Sequence, residues 1–421
     1  MKIAILGGGI TGLTSAYLLS RRGHQVTLIE KEKVLGGLAV GFKAPGWKWH
    51  LERAYHHLFA SDKDIINFAE EIGFRNIFFV DPTTSSLYQE GSGFRILPLD
   101  TPVDFLKFPY LGLLDKIRAG AVLAFLKFSP FLKYFESTTS EAFLKKTMGK
   151  MAWDRLWRQL FRGKFGDYAG IILASFIWAR INKRTKSLGY IKGGFQTFID
   201  YLVNKIKKQK VIIKPGHEVK EIKTIRDKFE IDGETYDKVI STLPTPVMTR
   251  LAKNIFPEIF LEKFSKLKYL HAVTLIIETD KPILQKTYWL NICAEKIPLM
   301  ILAQHTNFVD KKNYGGHHIA YTGWYVKFDS PLVKMNQKQV AEFVLPHIKK
   351  ISGNGFKVIN AYLFKGPFAQ PIFDSDFVKN RPDFLTPVKN FFIANLDMTY
   401  PYDRGTNYAV KLGKKVSEMI R

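Results

Sequence analysis

The chain carries one cysteine, Cys293, in 421 residues. A single thiol excludes an internal disulfide and leaves too few thiolates for a zinc or iron–sulfur centre. It fits a reducing compartment, with Cys293 acting as a small buried apolar side chain. Acidic residues are scarce as well: 38 Asp and Glu stand against 63 Lys and Arg, a formal charge of +25. That excess either spreads over solvated faces or favours an anionic partner, such as a phosphorylated cofactor or an anionic lipid surface. No zinc-finger, RNP-like or helix-turn-helix pattern supports nucleic acid, so none is expected as a partner. No apolar run reaches about 18 residues, which argues against a spanning helix. Met1 to Leu6 runs straight into glycines rather than into an apolar leader. The expectation is a cytoplasmic protein, at most peripheral to a membrane. Internal repeats, low-complexity linkers, a Ser/His/Asp elbow, a Walker motif and HExxH are all missing.

What is present opens as strand, tight turn, helix, strand. Lys2 to Leu6 is a short β-prone run. Gly12 to Arg22 places Leu13, Ala16, Tyr17 and Leu19 near helical spacing, and Gln25 to Glu30 reads as a second buried strand. From about Thr101 to Lys183 the chain becomes helix-rich, aromatic and basic. Strands return at Lys210 to Lys214, Glu218 to Ile225, Lys228 to Ile231 and Lys238 to Ser241. A further β-rich stretch covers His271 to Thr279, Leu299 to His305 and His317 to Tyr325. The chain closes on a strand, Phe391 to Ala394, and a helix from about Thr406 to Ile420. One nucleotide-binding sheet is therefore expected to draw strands from the start, middle and end, with two insertions between them.

Gly7-Gly8-Gly9-Ile10-Thr11-Gly12 contains GxGxxG, with Gly7, Gly9 and Gly12 in the fingerprint positions. The first glycine permits the tight turn, the second lets backbone approach a pyrophosphate, and the third lets helix and strand pack closely. The helix that follows points free N–H groups at the phosphates. Glu30 ends the second strand, where a carboxylate binds ribose hydroxyls and repels a 2′-phosphate. The fingerprint establishes a dinucleotide and leaves NAD and FAD both open.

The next segment, Lys31-Glu32-Lys33-Val34-Leu35-Gly36-Gly37-Leu38, follows Glu30 with a second glycine pair. Here the sequence resembles the superfamily of FAD-dependent amine oxidases, protoporphyrinogen oxidases and phytoene desaturases. In that family an acidic residue, a short basic or polar run and a Leu-Gly-Gly turn pass along the FAD pyrophosphate and ribityl chain. Lys31, Gly36, Gly37 and Leu38 take those places, Leu38 standing where arginine is usual. The likeness continues through Glu52-Arg53-Ala54-Tyr55-His56-His57, which lies where members approach the flavin ring. It continues through Trp157 to Asp167, Gly189 to Phe195, and Glu218-Val219, whose valine meets the adenine through its backbone. Thr242-Leu243-Pro244, Ala394-Asn395 and Tyr400 to Ala409 complete it. The resemblance implies non-covalent FAD, held by Gly7, Gly8, Gly9, Thr11, Gly12, Glu30 and the second glycine turn. It adds Arg53, Tyr55, Val219, Asn395 in place of an acid, Arg404, Gly405, Thr406 and Asn407.

The implied fold is α/β: a discontinuous Rossmann-like FAD-binding domain of the amine-oxidase type, a mixed-sheet substrate domain and a helical insertion. The cofactor domain takes 1–80, 190–250 and 385–421; the substrate domain takes 81–100 and 251–384; the insertion takes 101–189. Gly405 to Asn407 would open the terminal helix, whose positive end favours reduced flavin. Arg404 either adds to that charge or forms a surface salt bridge.

Candidate catalytic residues are His56, His57, His305 and Arg404. Adjacent histidines diverge and no third ligand is evident, so no metal is expected. One of them faces the flavin or the substrate, or they pack or are exposed to solvent. Gln304-His305-Thr306-Asn307 either lines the cavity or is structural, and His317-His318 reads as a turn. Phe105 to Phe135, with Lys107, Lys116, Arg118, Lys127 and Lys133, is either an interfacial helix pair or packed core helices. The expected activity is hydride removal from a small, lipophilic or amine substrate, with oxygen or another acceptor. A non-redox sugar mutase on the same cofactor domain and an isoprenoid saturase are the alternatives.

Overall fold

The structure is a computed structural model that describes residues 1–353 and 355–420. Asn354 and Arg421, which fall in the expected substrate and cofactor domains, lie outside the described residues.

A five-stranded parallel sheet runs in the order Ile212–Pro215, Gln25–Glu30, Lys2–Leu6, Lys238–Ser241, Phe391–Ile393. Its central strands bury nearly every residue, as expected for a parallel sheet covered on both faces. The order reverses direction beside the first strand, between Lys2–Leu6 and Lys238–Ser241. In such sheets the ligand crevice lies at the carboxyl ends of the two strands flanking that switch. There Thr242 donates its amide to Leu6 O (2.9 Å) and its hydroxyl to Leu6 O (2.9 Å) and Gly7 O (3.2 Å), fixing the glycine turn. The helix Ile10–Arg21 packs against the terminal helix Thr406–Glu418. That contact is close: a Cβ on Gly413 would lie 2.7 Å from Thr14 Cβ and 2.8 Å from Thr11 O. Gly413 therefore lets the two ends of the chain meet on one face.

A second, seven-stranded sheet has the order Val358–Pro371, Tyr269–Thr279, His318–Val326, Ile301–Gln304, Thr287–Ile292, Thr83–Glu90, Gly93–Pro98. One pair, Thr287–Ile292 with Thr83–Glu90, is parallel and the others are antiparallel, so the sheet is mixed. Along Tyr269–Thr279 the strand period of two sorts the side chains. Val273, Leu275 and Ile277 pack with Val340, Val344 and Ile348 of the helix Gln337–Ser352, whereas Ile276 joins the main core on the opposite face.

Between the sheets the chain is helical, including Pro102–Leu106, Leu113–Phe128, Leu132–Glu136 and Ala174–Lys183. One sequence reading needs correction. The strand expected over Glu218 to Ile225 is reduced to Lys223–Ile225. The chain leaves the sheet first, Gly216 and His217 donating amides to Glu32 O and Glu30 O. The strand Val358–Pro371 was not anticipated; it carries a bulge against Leu270/Ala272, with Phe368 at φ 54°.

Candidate functional site

The crevice is walled by backbone. Gly7 sits at φ 104°, and a Cβ on Gly12 would stand 2.0 Å from Gly7 O. Gly8 N donates to Glu30 Oε2 (2.7 Å) and Glu32 N to Glu30 Oε1 (2.9 Å), so the acid at the second strand's end clamps the glycine turn. The Leu35-Gly36-Gly37 turn returns to the same place. Gly36 N donates to Gly8 O (2.9 Å), and Gly36 pairs with Gly9 as an isolated bridge. Gly36 and Gly37 have φ of 138° and 58°, conformations that L side chains rarely adopt. A Cβ on Gly9 would meet only Gly37 Cα, at 3.8 Å. Gly9 thus faces open space above two glycine turns, and no side chain caps the helix that starts at Ile10. Uncapped amides beside a backbone-only surface suit the oxygens of a pyrophosphate.

The other expected dinucleotide contacts divide. Thr11 is buried where the first helix meets Gly413. Val219 is buried two residues past His217, whose amide bonds the Glu30 carbonyl. Leu38 is exposed, its tip close to Gly366. Lys31 is exposed, its ammonium 3.7 Å from Glu32. Asn395 is engaged within the protein. Its Nδ2 donates to Leu243 O (3.0 Å) and Thr245 Oγ1 (2.9 Å), and its Oδ1 accepts from Asp397 N (3.2 Å). Both ends of that amide hold two loops together.

The terminal helix begins at Thr406, with Gly405 at the cap position and no capping side chain. Asn407 is tied to the neighbouring helix, accepting from Ile65 N (3.1 Å) and donating to Asp64 Oδ2 (3.2 Å). The exposed positive end of the helix is therefore backbone. Arg404 precedes it, donating to Ala369 O (3.1 Å) and Gln370 Oε1 (2.9 Å) and lying 4.7 Å over the Tyr325 ring. Among the described residues its guanidinium forms no ion pair with a carboxylate; only its backbone amide reaches one, donating to Asp403 Oδ1 (3.1 Å). Arg53 stacks 5.5 Å over Phe364 with its buried Nε unpartnered.

Aromatic rings and neutral imidazoles line the adjoining space. Tyr55 packs edge-on to Trp289 (4.9 Å), and its hydroxyl lies 3.3 Å from that of Tyr325. His56 Nδ1 donates to Ala54 O (2.8 Å), which leaves Nε2 as the acceptor. Burial lowers the His56 pKa to about 4 and, with His56 itself and Arg184 beside it, lowers His57 to about 3. Both rings are neutral near pH 7.

His305 is buried among Tyr190, Phe308, Tyr314 and Tyr321, hydrogen-bonded to Tyr314 (2.8 Å), and Gln304 accepts the Ile283 and Leu284 amides.

Three ionisable features went unread in the sequence because each depends on residues far apart in the chain. Glu52 is fully buried, accepting from Tyr190 (2.6 Å) and Phe195 N (2.7 Å), and burial raises its pKa to about 7. Asp397 accepts from Thr245 and Tyr269, is raised by burial to about 6, and has an unpartnered Oδ1. Asp403 takes both Lys164 (2.7 Å) and Arg180 (2.6 Å) on one oxygen. Among the described residues no group of three His, Cys, Asp or Glu could hold a metal, and no helix is long and apolar enough to cross a membrane.

Comparison with known proteins gives this arrangement its cofactor. The family model described as flavin-containing amine oxidoreductase matches residues 10–420. A zeta-carotene desaturase from Synechocystis is 22% identical over 479 residues, covering 100% of this chain and 97% of the relative. An oxidoreductase structure from Methanosarcina mazei superposes with a TM-score of 0.77 at 19% identity, covering 99% and 100% of the two chains. The structure of a reduced UDP-galactopyranose mutase gives 0.75 at 16%, covering 100% and 95%. The backbone cradle, the clamped acid and two uncapped helix ends suit FAD, and the whole length of the chain carries the likeness. The chain belongs to the flavin-containing amine oxidoreductase family and is an FAD-dependent oxidoreductase.

Proposed function

We propose that the protein removes hydride from an apolar or amine substrate bound against the aromatic cluster of Tyr55, Trp289 and Tyr325, with oxygen or another carrier as the final acceptor. FAD, once bound, supplies the hydride acceptor at its N5. In this reading the glycine turns at Gly7–Gly12 and Gly36–Gly37 hold the pyrophosphate and Glu30 the ribose. The Gly405–Asn407 helix start and Arg404 stabilise negative charge on the reduced ring. The parallel sheet is the cofactor domain, the mixed sheet the substrate domain, and residues 101–189 an insertion between them. His56 and His57, both neutral, orient substrate or accept a proton at a ring nitrogen.

The observation that carries the reading is the pairing of an uncapped helix end, and an Arg404 guanidinium that has no carboxylate partner among the described residues, with the aromatic cluster of Tyr55, Trp289 and Tyr325. A cluster of rings excludes water and orients an apolar group, which is what direct hydride release needs from a protein. The full-length desaturase relative favours the apolar over the amine class.

The substrate's route is proposed to start at a membrane. On the helix Leu113–Phe128 the outward stripe Leu114, Ile117, Phe125 and Phe128 is exposed, Leu114 by 83% and Phe128 by 81%. Val103, Leu106, Phe131 and Tyr134 continue it on the flanking short helices, with Lys107 and Lys133 on its rim. An exposed apolar stripe rimmed by lysines fits the headgroup layer of an anionic bilayer.

Anaerobic mixing of FAD-loaded protein with polyenes, porphyrinogens and amines tests the chemistry. Loss of flavin absorbance with one class is expected. Turnover that appears only after chemical reduction, with no bleaching by any class, would replace the redox reading with the mutase one.

A further inference from the structure

Asp403 lies just before Arg404 and Gly405, the residues that lead into the terminal helix. Its two carboxylate oxygens are used differently. One takes Lys164 Nζ (2.7 Å) and an Arg180 guanidinium nitrogen (2.6 Å). The other accepts the Arg404 amide (3.1 Å). An aspartate that bonds the neighbouring amide in this way fixes the local path of the chain.

Both cations come from the stretch between the two sheets, one from each of two helices. Lys164 stands in the last turn of Arg158–Phe165, and Arg180 belongs to Ala174–Lys183. Lys164 is the deeper of the two, 14% exposed against 45%. Its ammonium packs over the rings of Phe176 (5.0 Å), Phe165 (5.6 Å) and Tyr325 (5.6 Å). Arg404 lies over that same Tyr325 ring at 4.7 Å, its guanidinium tied to Ala369 O and Gln370 Oε1. Lys164 and Arg404 thus meet on one ring of the aromatic cluster, and Asp403 joins them.

Burial works against both members of the inner pair. It pulls the Lys164 ammonium down to about 7, while Lys164 and Arg180 hold Asp403 below the ordinary carboxylate range in spite of it. Ion pairs that lose hydration in this way contribute little net stability. What this one does contribute is geometry and charge. Lys164, Arg180 and Arg404 outnumber Asp403, so the segment leading into the helix stays positive.

We propose that Lys164 is a positioning residue for the flavin: acting through Asp403, it holds Arg404 and the uncapped helix start in place and keeps that end of the site positive, which favours reduced over oxidised flavin. The helical stretch thereby sets the reduction potential of a cofactor that other parts of the chain bind. The inference rests on the Arg404–Gly405 segment lying beside the flavin, as proposed above. Reduced flavin carries negative charge, so losing a nearby cation makes reduction harder.

The test measures the two-electron midpoint potential of FAD-loaded protein at pH 6, where Lys164 is protonated, together with flavin content and melting temperature. Lys164→Met should lose about tenfold in the preference for reduced flavin, a shift of about 30 mV to more negative potential. Lys164→Arg, which keeps the charge, should restore it. Lys164→Met with Asp403→Asn removes the carboxylate that the single change strands, while the Asn oxygen can still accept the Arg404 amide. The potential of this double variant should move back towards that of the wild type. A purely structural role predicts the reverse: a double variant at least as disturbed as the single, with no recovery. Arg180→Gln, at the more exposed partner, should shift the potential the same way by less, and it carries the test if Lys164→Met does not fold. Full flavin content with an unchanged potential in these single variants, or a double variant as negative as Lys164→Met, would overturn the proposal. The expected shifts in a protein that no substrate class bleaches would support the role of Lys164 and sink the redox reading instead.

Discussion

At the scale of single residues, the glycines carry the site and the buried acids carry its pH response. A methyl on Gly12 would be driven to 2.0 Å from Gly7 O, with no flexible side chain to yield. Gly12→Ala is therefore expected to separate helix from strand, costing about 1–3 kcal/mol and most of the bound flavin. Thermal melting and the flavin-to-protein absorbance ratio check this; a fully flavinated, equally stable variant would refute it. Glu52 works in the opposite sense to a surface acid. Its folded pKa is raised from 4.5 to about 7, so its contribution is fully present below about 4.5 and is lost as pH rises through 7. Glu52→Gln lacks that titration. Relative to the wild type it should gain stability between pH 4.5 and pH 8, by up to about 3 kcal/mol. Parallel melting curves for the two proteins at both pH values would contradict the assignment. The glycine spacing and Glu30 were legible because a short local run encodes a turn and a strand end. Glu52 was not, because its environment is assembled from Tyr190, Phe195 and Tyr321, more than a hundred residues away.

At the scale of elements, the sequence marks where helices and strands begin better than it marks what their faces meet. The terminal helix starts at Thr406 as its glycine and small residues suggested. Asn395, read as a cofactor ligand, also braces two loops, which the sequence could not show because its partners at Leu243 and Thr245 are brought by a different strand. The helix Leu113–Phe128 shows the same limit. Periodicity alone gives two apolar faces, and only packing tells that Ala119 and Leu126 are inside while Leu114 and Phe128 are out. Replacing Leu114 and Phe128 with Ser should leave stability within about 0.5 kcal/mol, since both are solvent-exposed. Flotation with anionic vesicles at low salt should fall severalfold. Unchanged flotation, or a wild type that never floats, would remove the membrane surface from the account.

At the scale of the whole molecule, strands from residues 2–30, 212–241 and 391–393 form one parallel sheet, and its switch point holds the glycine turns. The alternation of strand and helix signals along the chain was enough to expect that layout. The pairing of the seven-stranded sheet was not readable, since its register is set by bulges and by the helix Gln337–Ser352 packed on one face. The acid limb of stability is also a whole-molecule property. His56, His57 and His305 have folded values of about 4, 3 and 3, below the ordinary 6.5. Their contribution is present above 6.5 and is lost as pH falls towards 3. The raised acids Glu52, Asp62 and Asp397 offset that loss only down to about pH 4. Melting temperature should therefore drop steeply below pH 4, and a flat profile from pH 5 to 3 would contradict the buried neutral histidines.

The central claim is that two glycine turns and two uncapped helix ends form one FAD site serving redox chemistry at the aromatic cluster. The most direct test is the visible spectrum of the purified protein, before and after anaerobic addition of a reducing substrate. The account predicts a yellow protein with one FAD per chain, released intact on denaturation and bleached by substrate without oxygen. A colourless protein that fails to take up added FAD would contradict it.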